Sequence, residues 1–118
     1  MDDNNYPAFI ASVTIQDIAR TIQDSLEYNL KVLRVLVQQY RNCRFQSAYL
    51  HEHIDASVQP LRILLDRAET ALSAIPIDRH HLFDANIALT RSLMEKHIKD
   101  CKNLVETTIS TQSERTMP

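Results

Sequence analysis

Apolar residues recur along this chain at steps of three and four. The run Ile15, Ala19, Ile22, Leu26, Asn29, Leu33, Leu36, Tyr40, Cys43 alternates the two steps without a slip. That is the heptad period of a coiled-coil seam. A second run, Leu50, Ile54, Val58, Leu61, Leu65, Ala68, Leu72, Ile75, is also a helical seam. A third holds Phe83, Ile87, Leu93, Met94, His97, Ile98, Cys101, Leu104, Val105 and Ile109.

Polar residues punctuate these runs. Thr14 with Asp17 three residues on, flanked by Val13 and Ile18, marks a helix start with a hydrophobic staple. Residues 1–13 then form an arm, which Pro7 keeps extended and which Tyr6, Phe9 and Ile10 can dock. Pro60 predicts a kink in the second run, or a fresh start near Ser57. Ile75-Pro76-Ile77-Asp78 is a stop and restart, with Asp78 as cap and Ile77 and Leu82 as staple. The polar residues 111–118 read as a flexible tail.

Length decides where the first helix ends. Unbroken from Ile15 to Ala56 it would run roughly 60 Å, longer than any partner could cover. A break near Asn42–Gln46, with Ser47 as the next cap, gives helices at about 14–42, 47–75 and 79–110, each roughly 43–48 Å long. Matched helices and short turns predict an all-α, up-down-up three-helix bundle over residues 14–110. Residues 41–45 hold no strong breaker, so a continuous helix in a dimer is the alternative.

Composition narrows the function classes. The chain of 118 residues suits one domain and contains no glycine. Without glycine there is no P-loop, no Rossmann turn and no nucleophile elbow of the usual kind. A net charge of -2 exerts no global pull on nucleic acid or on an anionic membrane. No apolar run reaches transmembrane length, and Met1-Asp2-Asp3-Asn4-Asn5 is the opposite of a signal peptide's basic start. The expected location is cytoplasmic or otherwise intracellular, with Cys43 and Cys101 as reduced, buried thiols.

Candidate chemistry is sparse. His97 and Cys101, four apart, share one helix face, and Cys43 could approach from the first helix. Zinc would need a fourth ligand, so no metal and no cofactor are expected. His51 and His53 point about 200° apart on a helix, and His51 with Asp55 suits a surface pair. His80 and His81 fall in a first turn, exposed to solvent. No Glu is followed by His three residues later, which removes the di-iron pattern of helical bundles. For nucleophilic catalysis Cys43 or Cys101 would need a base and an orienting group in a cleft, and nothing places them so; no catalytic residue is named and an enzyme is not expected.

Residues 28–51 stand out. They hold Lys31, Arg34, Arg41 and Arg44 and no acid. On one helix these four span an arc of about 140° and could bind phosphates beside Tyr40 or Tyr49. They could equally pair with Asp66, Glu69 or Glu95. Asn29, on the seam, is a candidate for setting register. Leu30, Val32, Leu33, Val35, Leu36, Val37 and Tyr40 spread around most of the helix, wider than the stripe of a surface helix. Such a helix is either central or meets another chain. The expectation is a non-enzymatic protein-protein interaction module: an adaptor, assembly subunit or regulatory binder whose partner is a protein, itself included. Its predicted interface is Leu30, Arg34, Val35, Val37 and Arg41. The alternatives are a nucleic-acid or phosphate binder using the basic stretch, and a carrier of an apolar ligand between helices.

Overall fold

Neither glycine nor proline occurs between Pro7 and Pro60, so nothing in that stretch forbids helix. A computed structural model of the chain describes residues 5–43 and 47–116, and the side-chain surroundings of 6–41 and 47–111. Among the described residues there are three α-helices and no strand: α1 (Asn5–Cys43), α2 (Ala48–Leu72) and α3 (His80–Thr116), with a 3-10 turn at Ile77–Arg79. Each helix contacts both others, which closes an all-α three-helix bundle. The radius of gyration is 19.1 Å. A compact domain of this length would have about 13–14 Å, so the bundle is a rod.

The helix boundaries correct several expectations. α1 begins at Asn5, not near Thr14. Pro7 lies in its first turn, where the missing N–H would have had no intrahelical partner anyway. Residues 5–13 are therefore helix rather than an extended arm. Thr14 Oγ1 donates to Ile10 O at 2.8 Å, a mid-helix back-bond and not a cap. Ala11 and Ile15 enter the core, while Tyr6, Phe9 and Ile10 stay exposed instead of docking.

α1 ends at Cys43 and does not run on to Ala56. Arg44, Phe45 and Gln46, in the expected break, lie outside the described residues. Ser47 precedes α2 with helical dihedrals, and its side chain makes no capping bond. Pro60 is exposed inside α2, and the helix has no new start at Ser57. Beyond Leu72 the N–H groups of Ser73, Ala74 and Ile75 bond three residues back, tightening the end of the helix. Pro76, at φ -54 and ψ 140, then turns the chain.

The expected cap of α3 is not formed. Asp78 lies inside the 3-10 turn, and Ile77 and Leu82 are both exposed, so no staple joins them. His80 does the joining instead, with Nε2 2.6 Å from Ile75 O. It is half-buried rather than solvated, whereas His81 is exposed as expected. α3 continues to Thr116, past the expected end near residue 110, because no glycine or proline stops it there.

Equal helix lengths are also not found. α1, α2 and α3 have 39, 25 and 37 residues. Where α2 ends, Ile75 folds in from the turn and joins the core beside Ala11, Ile15 and Ile87.

The core register differs from a heptad. On α1 the residues facing inward are Ala11, Ile15, Ala19, Ile22, Leu26, Leu30, Leu33 and Val37, all buried except Leu30, which is half-buried. The steps are four, four, three, repeating every eleven residues. A straight α-helix drifts about 20° per seven residues against a heptad, but about 20° per eleven, in the opposite sense, against this period. By Leu33 a heptad seam has rotated toward the flank. Leu36 and Tyr40 are accordingly half-buried, and Val37, 4 % exposed, takes the core position.

The core has two parts. The lower one gathers Ile15, Ile22 and Leu26 with Leu61, Leu65 and Met94. The upper one gathers Leu33 and Val37 with Leu50, Ile54, Cys101 and Val105. Asn29 lies between them in sequence on α1, Ser57 on α2 and His97 on α3. Asn29 Nδ2 donates to Ser57 O at 3.4 Å. Pro60 has no N–H to offer Ala56, the carbonyl next to that of Ser57. The buried hydroxyls of Thr90 and Thr108 donate to carbonyls four residues back, at 2.8 and 2.7 Å, so they cost the core little.

Candidate functional site

The residues with the most chemistry meet at the boundary between the two core parts. On α3 the four-residue spacing puts His97 and Cys101 on one face, with Nε2 3.4 Å from Sγ. α2 sends His53 toward them, and its buried Nε2 has no hydrogen-bond partner. His51 is exposed, as the angle between positions two apart requires. Cys43, which could approach from α1, has its side chain outside the described residues.

Burial sets the electrostatics. It holds the His97 imidazole below its usual pKa, with the charge of His53 pushing the same way and Asp100 opposing. Burial also raises the Cys101 thiol, and Asp100 adds to that. The thiol is therefore protonated and a weak nucleophile near neutral pH. Among the described residues no three His, Cys, Asp or Glu side chains stand close enough to hold a metal ion. A neutral imidazole and a protonated thiol thus share this partly apolar seat.

The basic stretch is spread over the outside of α1. Lys31, Arg34 and Arg41 are exposed, and Arg44 lies outside the described residues. Lys31 Nζ is 3.9 Å from Glu27, one helical turn earlier. Glu69, an expected acidic partner, pairs with Arg91 of α3 instead. Asp66 and Glu95 line a groove with Arg62 and Arg91 between α2 and α3.

The five predicted interface residues separate. Val37 is core, because the eleven-residue seam passes through it. Leu30 is half-buried on the same seam and lines an open groove of roughly 320 Å3 with Leu26, Leu93 and His97. Val35, 57 % exposed, stands on the outer face, and Arg34 and Arg41 are exposed on the same helix.

A further apolar surface lies at the lower end of the rod. Tyr6, Phe9, Ile10 and Val13 are exposed on α1, and Leu82 and Leu89 are exposed on α3. Phe9, Ser12, Ile75, Arg79, Leu82 and Phe83 line a groove of roughly 420 Å3 there. Its sequence signal is legible in retrospect: residues 4–16 carry no charge, and positions 6, 9, 10 and 13 have helical spacing. Reading that segment as an extended arm hid it.

No described helix is long and apolar enough to cross a membrane. The chain matches no family model, no curated protein and no solved structure.

Proposed function

We propose that this chain is a non-enzymatic helical-bundle module for protein-protein interaction, an adaptor, assembly subunit or regulatory binder that associates with itself. The observation that supports this reading best is the placement of large apolar side chains on the outside of a bundle whose core is already filled. Val35 and Tyr28 on α1 are more than half exposed although the seam beside them is packed. Arg34 and Arg41 flank Val35 on the same helix. Aromatic and arginine side chains around an apolar centre are the composition of interface hot spots.

The interface in this reading is Val35 with Arg34 and Arg41, with Leu30 at its edge. Val37 acts behind it as core. Native mass spectrometry of the intact chain and of Val35→Asp tests this, with circular dichroism as the check on fold. Association that Val35→Asp weakens at unchanged helicity supports the module and this surface. A wild-type chain that stays monomeric, and that cross-linking in cells joins to no protein, refutes the module.

A further inference from the structure

α1 has two apolar faces at its N-terminal end, and only one of them is covered. At about 100° per residue, Ala8, Ala11, Ile15 and Ala19 centre on one direction and face the core. Tyr6, Phe9, Ile10 and Val13 centre nearly opposite, at spacings i, i+3, i+4 and i+7, and are 38–68 % exposed. Phe9 reaches the groove shared with Leu82, so the outer stripe continues onto α3.

We infer that this lower face is where a second copy of the chain docks, through an isologous contact of α1 and the start of α3 with the same elements of its twin. The inference rests on the self-association in the reading above and adds the lower face as its main contact.

Three observations favour a second copy. First, the α1 stripe is neutral: after Asp3 the next charged residue is Asp17, and the groove beside it carries a single charged lining residue, Arg79. A two-fold contact sets a patch against itself, and a neutral patch does so without like-charge repulsion. Second, ridge and groove lie side by side on this face, so the ridge of one copy has a groove of the other to enter. Third, the area suffices. At about 180 Å2 for a whole large residue, the exposed fractions of the four α1 residues with Leu82 and Leu89 leave about 600 Å2 per copy. Two copies bury about 1,200 Å2, the lower bound of a standard stable interface before any polar rim is added. A lipid surface fits less well, because an interfacial helix is rich in Lys and Arg beside its apolar face, whereas the α1 stripe has none and Arg79 alone lines the groove beside it.

Sedimentation velocity on the full chain over a range of concentrations tests this, with Tyr6→Glu/Val13→Glu, Leu82→Glu and Val35→Asp beside the wild type. All the altered side chains are exposed, and circular dichroism checks that the helices persist. The wild type is expected to dimerise. The double variant and Leu82→Glu should each weaken dimerisation about a hundredfold, since every change enters a two-fold interface twice. Val35→Asp should weaken association less than either lower-end variant does. A dimer lost only in Val35→Asp overturns the inference and keeps the module reading. A wild type that is monomeric throughout overturns the inference and the self-association, leaving a separate protein partner to be found by cross-linking. Lower-end variants that lose binding to neutral phosphatidylcholine vesicles but keep the dimer also overturn it, in favour of a membrane contact.

Discussion

Val37→Ala should destabilise the bundle more than Leu36→Ala, although it removes fewer carbons. Val37 is 4 % exposed and packs in the upper core with Leu33, Leu50 and Val105. Truncation deletes two buried carbons, about 1.6 kcal/mol of transfer free energy. A closed void of about 50 Å3 adds about 1 kcal/mol, for an expected loss of about 2.5 kcal/mol. Leu36 is half-buried on the flank of the seam. Removing its three carbons forfeits only part of about 2.4 kcal/mol and opens a dent to water rather than a void, so about 1–1.5 kcal/mol is expected. Urea unfolding followed by circular dichroism measures both, read from midpoints at an unchanged slope. A heptad core reverses the order, because it turns Leu36 inward and Val37 aside. A loss in Leu36→Ala equal to or larger than that in Val37→Ala would therefore refute the eleven-residue register.

Three other outcomes follow from the polar boundary. The folded pKa of His97 lies below its ordinary value of about 6.5, so the unfolded chain binds the proton more readily. Its stabilisation is complete above about pH 6.5 and is lost as pH falls through the lower folded value; His97→Gln should flatten the urea midpoint over that window, and an unchanged slope would count against it. Cys101, buried and with a raised thiol pKa, should react with a disulfide reagent only as fast as the bundle opens, measured in a Cys43→Ser background with and without urea. Asn29→Ala should cost about 1 kcal/mol through the lost bond to Ser57 O, and a stability gain would show that the amide is a burden to the core.

How far the site was legible depends on how local each signal is. The pair His97 and Cys101 was visible because four residues of helix bring any two side chains together. His53 was not, because its meeting with them depends on how α2 is rotated against α3, and no spacing within one helix records that rotation. The exposed stripe at residues 6–13 was misread for a different reason. Pro7 favours extended backbone in the residue before it, but in the first turn of a helix its missing N–H takes nothing away.

The sequence left the end of the first helix open, because residues 41–45 hold no strong breaker, but it determined by itself that the chain is helical and that it turns around Pro76. Those features follow from the lack of glycine, the placement of proline and apolar steps of three and four, all of them local. Tertiary structure alone decided which apolar residues face inward. Between Leu30 and Tyr40 the helix is apolar almost all round, so a seam of period seven and one of period eleven are both written there. The choice fell to the packing of α2 and α3, whose side chains cover Leu33 and Val37 and leave Val35 in water. Burial is a property of the neighbours as much as of the residue, and the neighbours are set only when the helices have met.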